Sequence, residues 1–143
     1  MDVEEIFASL KSEAPEKAAP KARTSGFPSP AEDFAGQTLS LDKHLVRRPA
    51  ATYFCRVAGD AMQAAGIHDG DLLVVDSSLT PQHEQVVVAL LFGDLVVRRL
   101  HKSPTAAWLV AESPAGGYPP VEITQLDAAE LFWGVVTWVL HQP

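Results

Sequence analysis

The chain has 143 residues, 47% of them hydrophobic, with a formal net charge of −7 and a single cysteine. That length and apolar share suit one domain with a real core, whereas the acidic balance repels a phosphate backbone and argues against direct DNA binding by the chain alone. No apolar run reaches the ~18 residues of a membrane span, Cys55 has no partner for an internal disulfide, and Met1 to Leu10 lacks a signal-peptide core, so a reducing cytoplasm is the expected location.

Asp2 to Lys11 reads as a short amphipathic helix, with Ile6 and Phe7 near Leu10, and is marginal on its own. Ser12 to Thr24 is built of Ala, Pro, Lys and Glu, too polar to offset its ordering entropy, and reads as a mobile arm. A Pro-rich segment, Gly26-Phe27-Pro28-Ser29-Pro30-Ala31, follows. Leu39 to Val46 reads as a short helix, with Ser40 as a cap and Pro49 nearby to end it.

Ala50 to Asp76 is the organising stretch. Thr52, Phe54 and Val57 suit a strand. Gly59-Asp60 breaks it, and Asp60 is placed to cap a helical turn over Ala61 to Ala65 that Gly66 ends. Asp69-Gly70 marks a turn before the apolar strand Leu72 to Val75. Ser77 to His83 reads as a loop. Gln85 to Phe92 and Leu95 to Leu100 read as a hairpin about Gly93-Asp94, and Thr105 to Ala111 as a strand. After the Pro- and Gly-rich loop Ser113 to Pro120, Val121 to Thr124 and Ala128 to Leu140 read as strands. The expected fold is therefore mostly β.

Several of these segments resemble the LexA/UmuD family of self-cleaving serine peptidases. Its pattern of Gly-Asp-Ser-Met, Asp-Gly-Asp and an apolar strand ending in Asp is filled by Gly59-Asp60-Ala61-Met62, Asp69-Gly70-Asp71 and Leu72 to Asp76. The Gly26 to Ala31 segment is similar to that following the cut bond in UmuD-type members, and Ala51-Thr52-Tyr53-Phe54 and Phe132 to Val136 match further strands. With no room before them for a helix-turn-helix domain, the resemblance is to the shorter, UmuD-like branch. It implies a flexible N-terminal arm over residues 1–37, carrying the former cleavage site Ser25-Gly26, and a LexA/UmuD-like β-core over residues 38–143.

The resemblance also implies a Ser–Lys dyad, in which a desolvated Lys serves as base for the Ser hydroxyl. Both positions depart. The nucleophile falls on Ala61, which has no oxygen. The base falls on Arg98, within Gly93-Asp94-Leu95-Val96-Val97-Arg98-Arg99-Leu100, and a guanidinium with pKa above about 12 is no neutral base. Arg98 is expected to turn outward or to meet a carboxylate, since an unpaired buried charge is costly. Phe27 is expected to anchor an arm that exchanges between cleft and solvent. Ser77, Ser78 and Lys102 have no motif that would make them substitutes.

Other residues offer little chemistry. His44, His68, His83, His101 and His141 are scattered, and His83-Glu84 lacks the second His of a zinc-protease helix, so no metal and no cofactor are expected. Asp69 and Asp71 read as turn formers, and Trp108, Trp133 and Trp138 as core or interface residues. The resemblance implies an accessory subunit of a Y-family translesion polymerase in the SOS response. Its implied partners are a second copy, the polymerase subunit, the RecA filament, replicative polymerase subunits and a UmuD-type paralogue as heterodimer. Two other readings stay open. One is an active self-peptidase inactivated by an engineered change at Ala61; the other is a regulatory dimer partner or co-repressor that reuses the fold for protein binding.

Overall fold

The computed structural model describes residues 2–8 and 38–143. Among the described residues, eight strands form one antiparallel sheet: β1 (Val3–Ala8), β2 (Thr52–Val57), β3 (Leu72–Asp76), β4 (Val86–Leu91), β5 (Asp94–Lys102), β6 (Ala107–Val110), β7 (Val121–Glu122) and β8 (Phe132–Leu140). They lie in the order β1-β2-β3-β8-β4-β5-β6-β7. Helices among these residues are few and short: α1 (Leu41–Leu45), α2 (Ala128–Leu131) and 3-10 turns at Pro49–Ala51 and Gln63–Ala65. None is long and apolar enough to cross a membrane. The mostly β fold expected from the sequence is present.

The sheet curls, and apolar clusters form on both its faces. Val88 of β4 faces Val3, Cys55, Val57, Met62, Leu73, Val75 and Val97. Its neighbours Val87 and Ala89 face Leu91, Leu100, Leu109, Ile123 and Leu131 instead. The period of two along a strand makes this division, and burial on both sides explains why β4 reads as an unbroken apolar run. Each fully buried Val is worth about 1.5–3 kcal/mol. The curl also carries β1 onto β5, so that Val3 packs in the same cluster as Val97.

Two elements differ from their sequence reading. Val3–Ala8 is a strand and not part of a helix, its bonds running to β2 through Ile6↔Cys55 and Phe7↔Phe54. So short a helix has little stability of its own, whereas the edge of β2 offers a ladder and a burial site for Val3. Residues 128–131 are helical and not the start of the last strand. The Asp127 carboxylate accepts a hydrogen bond from the Ala129 N–H at 2.9 Å and caps the turn, and Leu131 is buried beneath it. The hairpin, the 3-10 turn before Gly66 (φ 86°) and α1 lie where the sequence places them, although the Ser40 and Asp60 side chains cap neither helix.

Candidate functional site

The turn after β2 holds Ala61. Gly59 takes a left-handed conformation (φ 94°), and its N–H donates to Asp69 Oδ1 at 2.8 Å, tying this turn to the one before β3. Ala61 is buried. Its carbonyl accepts from the Glu112 N–H, and the Glu112 carbonyl accepts from the Ala64 N–H, both at 2.8 Å. The segment after β6 thus clasps the turn from the side. Glu112 then uses its carboxylate on Arg99, with contacts of 2.7 and 3.2 Å from Nε and Nη2. This fork-to-fork pair, with hydrogen bonding to Glu112 its largest cause, raises the Arg99 pKa.

Arg98 lies on β5 opposite Val87, and only about 9% of its surface is exposed. Its Nη1 donates to the Val97 carbonyl at 2.8 Å and to Asp2 Oδ2 in a tight ion pair. Asp2 is itself buried. The same Oδ2 accepts from the Val97 N–H at 3.2 Å, and the Asp2 carbonyl accepts from the Ala58 N–H at 2.9 Å. Burial lowers the Arg98 pKa and the nearby Tyr118 opposes that shift, but the group remains a cation at any working pH.

Tyr118 joins the two halves of the site. The Arg98 guanidinium carbon lies 5.2 Å from its ring centroid, within cation–π range, and its hydroxyl donates to Asp60 Oδ1 at 2.8 Å. The hydrogen bond to Asp60, then burial and the Asp60 charge, raise the tyrosine pKa, with Arg98 acting against them. A chain of contacts therefore runs Ala61-bearing turn, Asp60, Tyr118, Arg98, Asp2. It offers neither an attacking oxygen nor a proton acceptor at positions 61 and 98. What it does offer is a buried cation that holds a carboxylate, aligned by a backbone N–H.

Asp2 and Tyr118 were not legible as site residues in the sequence. Tyr118 sits in a Pro- and Gly-rich loop that reads as a connection, and Asp2 in a segment that reads as a helix. Ser25, Gly26 and Phe27 lie outside the described residues. Ser77 and Ser78 are occupied locally, bonding the Ala51 carbonyl and Asp76. Asp69 and Asp71 both brace turns, accepting from the N–H groups of Gly59 and His68. Trp108, Trp133 and Trp138 are each about two-fifths exposed, so none is a core residue.

The sequence pattern of the peptidase S24-like family matches residues 21–137. The chain is 42% identical over 117 residues to protein ImpA of Salmonella typhimurium, covering 82% of this chain and 77% of that protein. It is 41% identical over 114 residues to protein MucA of Escherichia coli, covering 80% and 76% of the two chains. Similarity to the LexA repressor of Acidithiobacillus ferrooxidans is 37% over 118 residues, covering 81% of this chain and 56% of the repressor.

Proposed function

This chain belongs to the peptidase S24-like family, that of LexA and UmuD, and from that premise we propose that it is a UmuD-like accessory subunit of a Y-family translesion polymerase in the DNA-damage response, kept in its uncut form. The observation that carries the reading is the pairing of Arg98 with Asp2 beside a turn whose nucleophile position is Ala61. The base position is taken by a fixed cation, and the space around it by the chain's own first strand. Self-cleavage needs a nucleophile and a base together. Positions 61 and 98 supply neither, which supports a role in binding.

The binding role fits the surface. Trp133, Trp138 and Leu140 on β8 are each two-fifths or more exposed, which suits a symmetric dimer contact. A net charge of −7 favours protein partners over DNA. The partners proposed are the polymerase subunit, the RecA filament, replicative polymerase subunits and a UmuD-type paralogue, all in the cytoplasm.

Intact mass spectrometry after long incubation with RecA filament, or at alkaline pH, tests the chemistry. The expected spectrum shows the full chain; a product beginning at Gly26 sinks the reading. Ala61→Ser alone stays inactive because Arg98 cannot accept the hydroxyl proton, and only the double change with Arg98→Lys supplies both residue types of a dyad. Co-purification tests the partnership: the Y-family polymerase subunit is expected to be retained, and removal of residues 1–25, which takes β1 and the Asp2 partner of Arg98 with it, to alter its binding or damage-induced mutagenesis. Equal binding and equal mutagenesis with and without residues 1–25 would leave them no role in the partnership.

A further inference from the structure

Away from Arg98, the fold brings together three side chains that are distant in sequence. His68 lies in the turn after the Gln63–Ala65 helix, Asp71 just before β3, and His141 just after β8. The antiparallel register pairs Leu72 with Leu140, so the next step outward sets Asp71 against His141. One ligand atom from each of the three lies within 4.8 Å of the others. We propose that His68, Asp71 and His141 form a binding site for a divalent transition-metal ion, with zinc as the representative.

The carboxylate is the buried part and the two imidazoles are the open part. The Asp71 side chain is 2% exposed, those of His68 and His141 41% and 45%. The rings stand 4.7 Å apart at 37°. Asp71 Oδ2 accepts from the His68 N–H at 2.8 Å, which fixes the carboxylate, and Oδ1 lies 2.6 Å from His141 Nδ1. His68 Nδ1 is 3.7 Å from Oδ2, too far for a hydrogen bond, and it is buried with no partner among the described residues. A buried polar nitrogen left in this state carries a desolvation cost that a ligand would relieve.

A metal ion supplies that partner. Zinc binds imidazole nitrogen and carboxylate oxygen at about 2.0–2.2 Å, which puts tetrahedral ligand atoms about 3.4 Å apart. His141 lies beyond the last strand and has room to open its 2.6 Å contact to that spacing. Water completes the fourth position. Two nitrogens and one oxygen favour zinc, nickel or copper over calcium and magnesium, which prefer all-oxygen shells. The Arg56 guanidinium, on the strand paired with β3, is turned to the Gly70 carbonyl and to Glu5, so its charge is partly met there. An ion bound here would fasten the C-terminal end of β8 to the turn whose Asp69 holds Gly59.

Equilibrium dialysis of the tag-free full chain against zinc chloride tests the site. One zinc per chain is expected, with a melting temperature raised by roughly 5 °C or more at a hundredfold excess over Kd. Exposed His141 is the variant least able to disturb folding, and His141→Ala is expected to weaken binding at least tenfold. His83 and His101 form the other close histidine pair, with ring centroids 5.8 Å apart, so His83→Ala with His101→Ala is the control and is expected to bind normally. No zinc uptake, uptake that survives His141→Ala, or uptake lost in the control would each overturn the assignment.

Discussion

Arg98 takes its counter-charge from a residue 96 positions earlier in the chain. An unpaired guanidinium in that place would cost several kcal/mol. Removing the acceptor charge with Asp2→Asn therefore destabilises the docking of β1 first, since detachment of the strand admits water to Arg98. The loss is about 3 kcal/mol, the low end for breaking a buried pair, since detachment of the strand limits the penalty. Hydrogen exchange at Val3–Ala8 is the readout: faster exchange in the variant is expected, and unchanged protection would mean the ion pair holds nothing. In the Asp2→Asn background, Arg98→Met restores part of the lost stability, which a double-mutant cycle measures. Cys55 offers a simpler test. It is wholly buried between β1 and β3, and burial pushes its thiol up to about 12. A thiol-specific disulfide reagent at pH 8 is expected to label it only after denaturant is added.

At the scale of elements, β8 approaches β3 so closely that only glycine fits at Gly134. A Cβ there would stand 2.6 Å from Val75 Cγ1 and 3.0 Å from the Asp76 carbonyl oxygen, the latter a backbone atom that cannot step aside. Gly134→Ala is expected to cost about 1–3 kcal/mol, seen as a lower urea midpoint with an unchanged slope. The hairpin β4–β5 was legible in the sequence because turn residues and periodicity agree locally. The strands β1 and β8 were legible only in part. A six-residue segment such as Val3–Ala8 carries no decisive local preference, and it becomes a strand because β2 has an open edge. The start of β8 was masked by α2, where three apolar residues of an apolar run turn helical under an aspartate cap. Ala61 and Arg98 were legible only as departures from the motif that the resemblance implies. Their surroundings were not, since Asp2 and the Tyr118–Asp60 bond span 96 and 58 residues.

For the whole molecule, the exposed aromatic face of β8 predicts association. Trp138→Glu is expected to convert a dimer to monomer in sedimentation at micromolar concentration; a wild-type protein that is monomeric there would remove this face from the account. Acid stability depends on Asp76 at the end of β3. Burial pushes its carboxyl up, but hydrogen bonds from the Ser78 hydroxyl and N–H, with the Arg48 guanidinium 3.1 Å away, together hold it below its usual value. The unfolded chain then takes up this proton first, at about pH 4. The contribution is fully present above that pH and is lost as the pH falls through the lower folded value. Asp76→Asn is expected to flatten the acid limb of a stability–pH profile while lowering stability at neutral pH. The pairing of β1 with β2 bears on what a nick would do. The chain is anchored by this strand before residue 9 and by the sheet after residue 38, so a foreign protease cutting between those points would leave two pieces still joined by a ladder of hydrogen bonds and a buried ion pair. They would travel together through a gel-filtration column and part only in denaturant, so that severing the backbone and releasing the first strand are separate events in this protein.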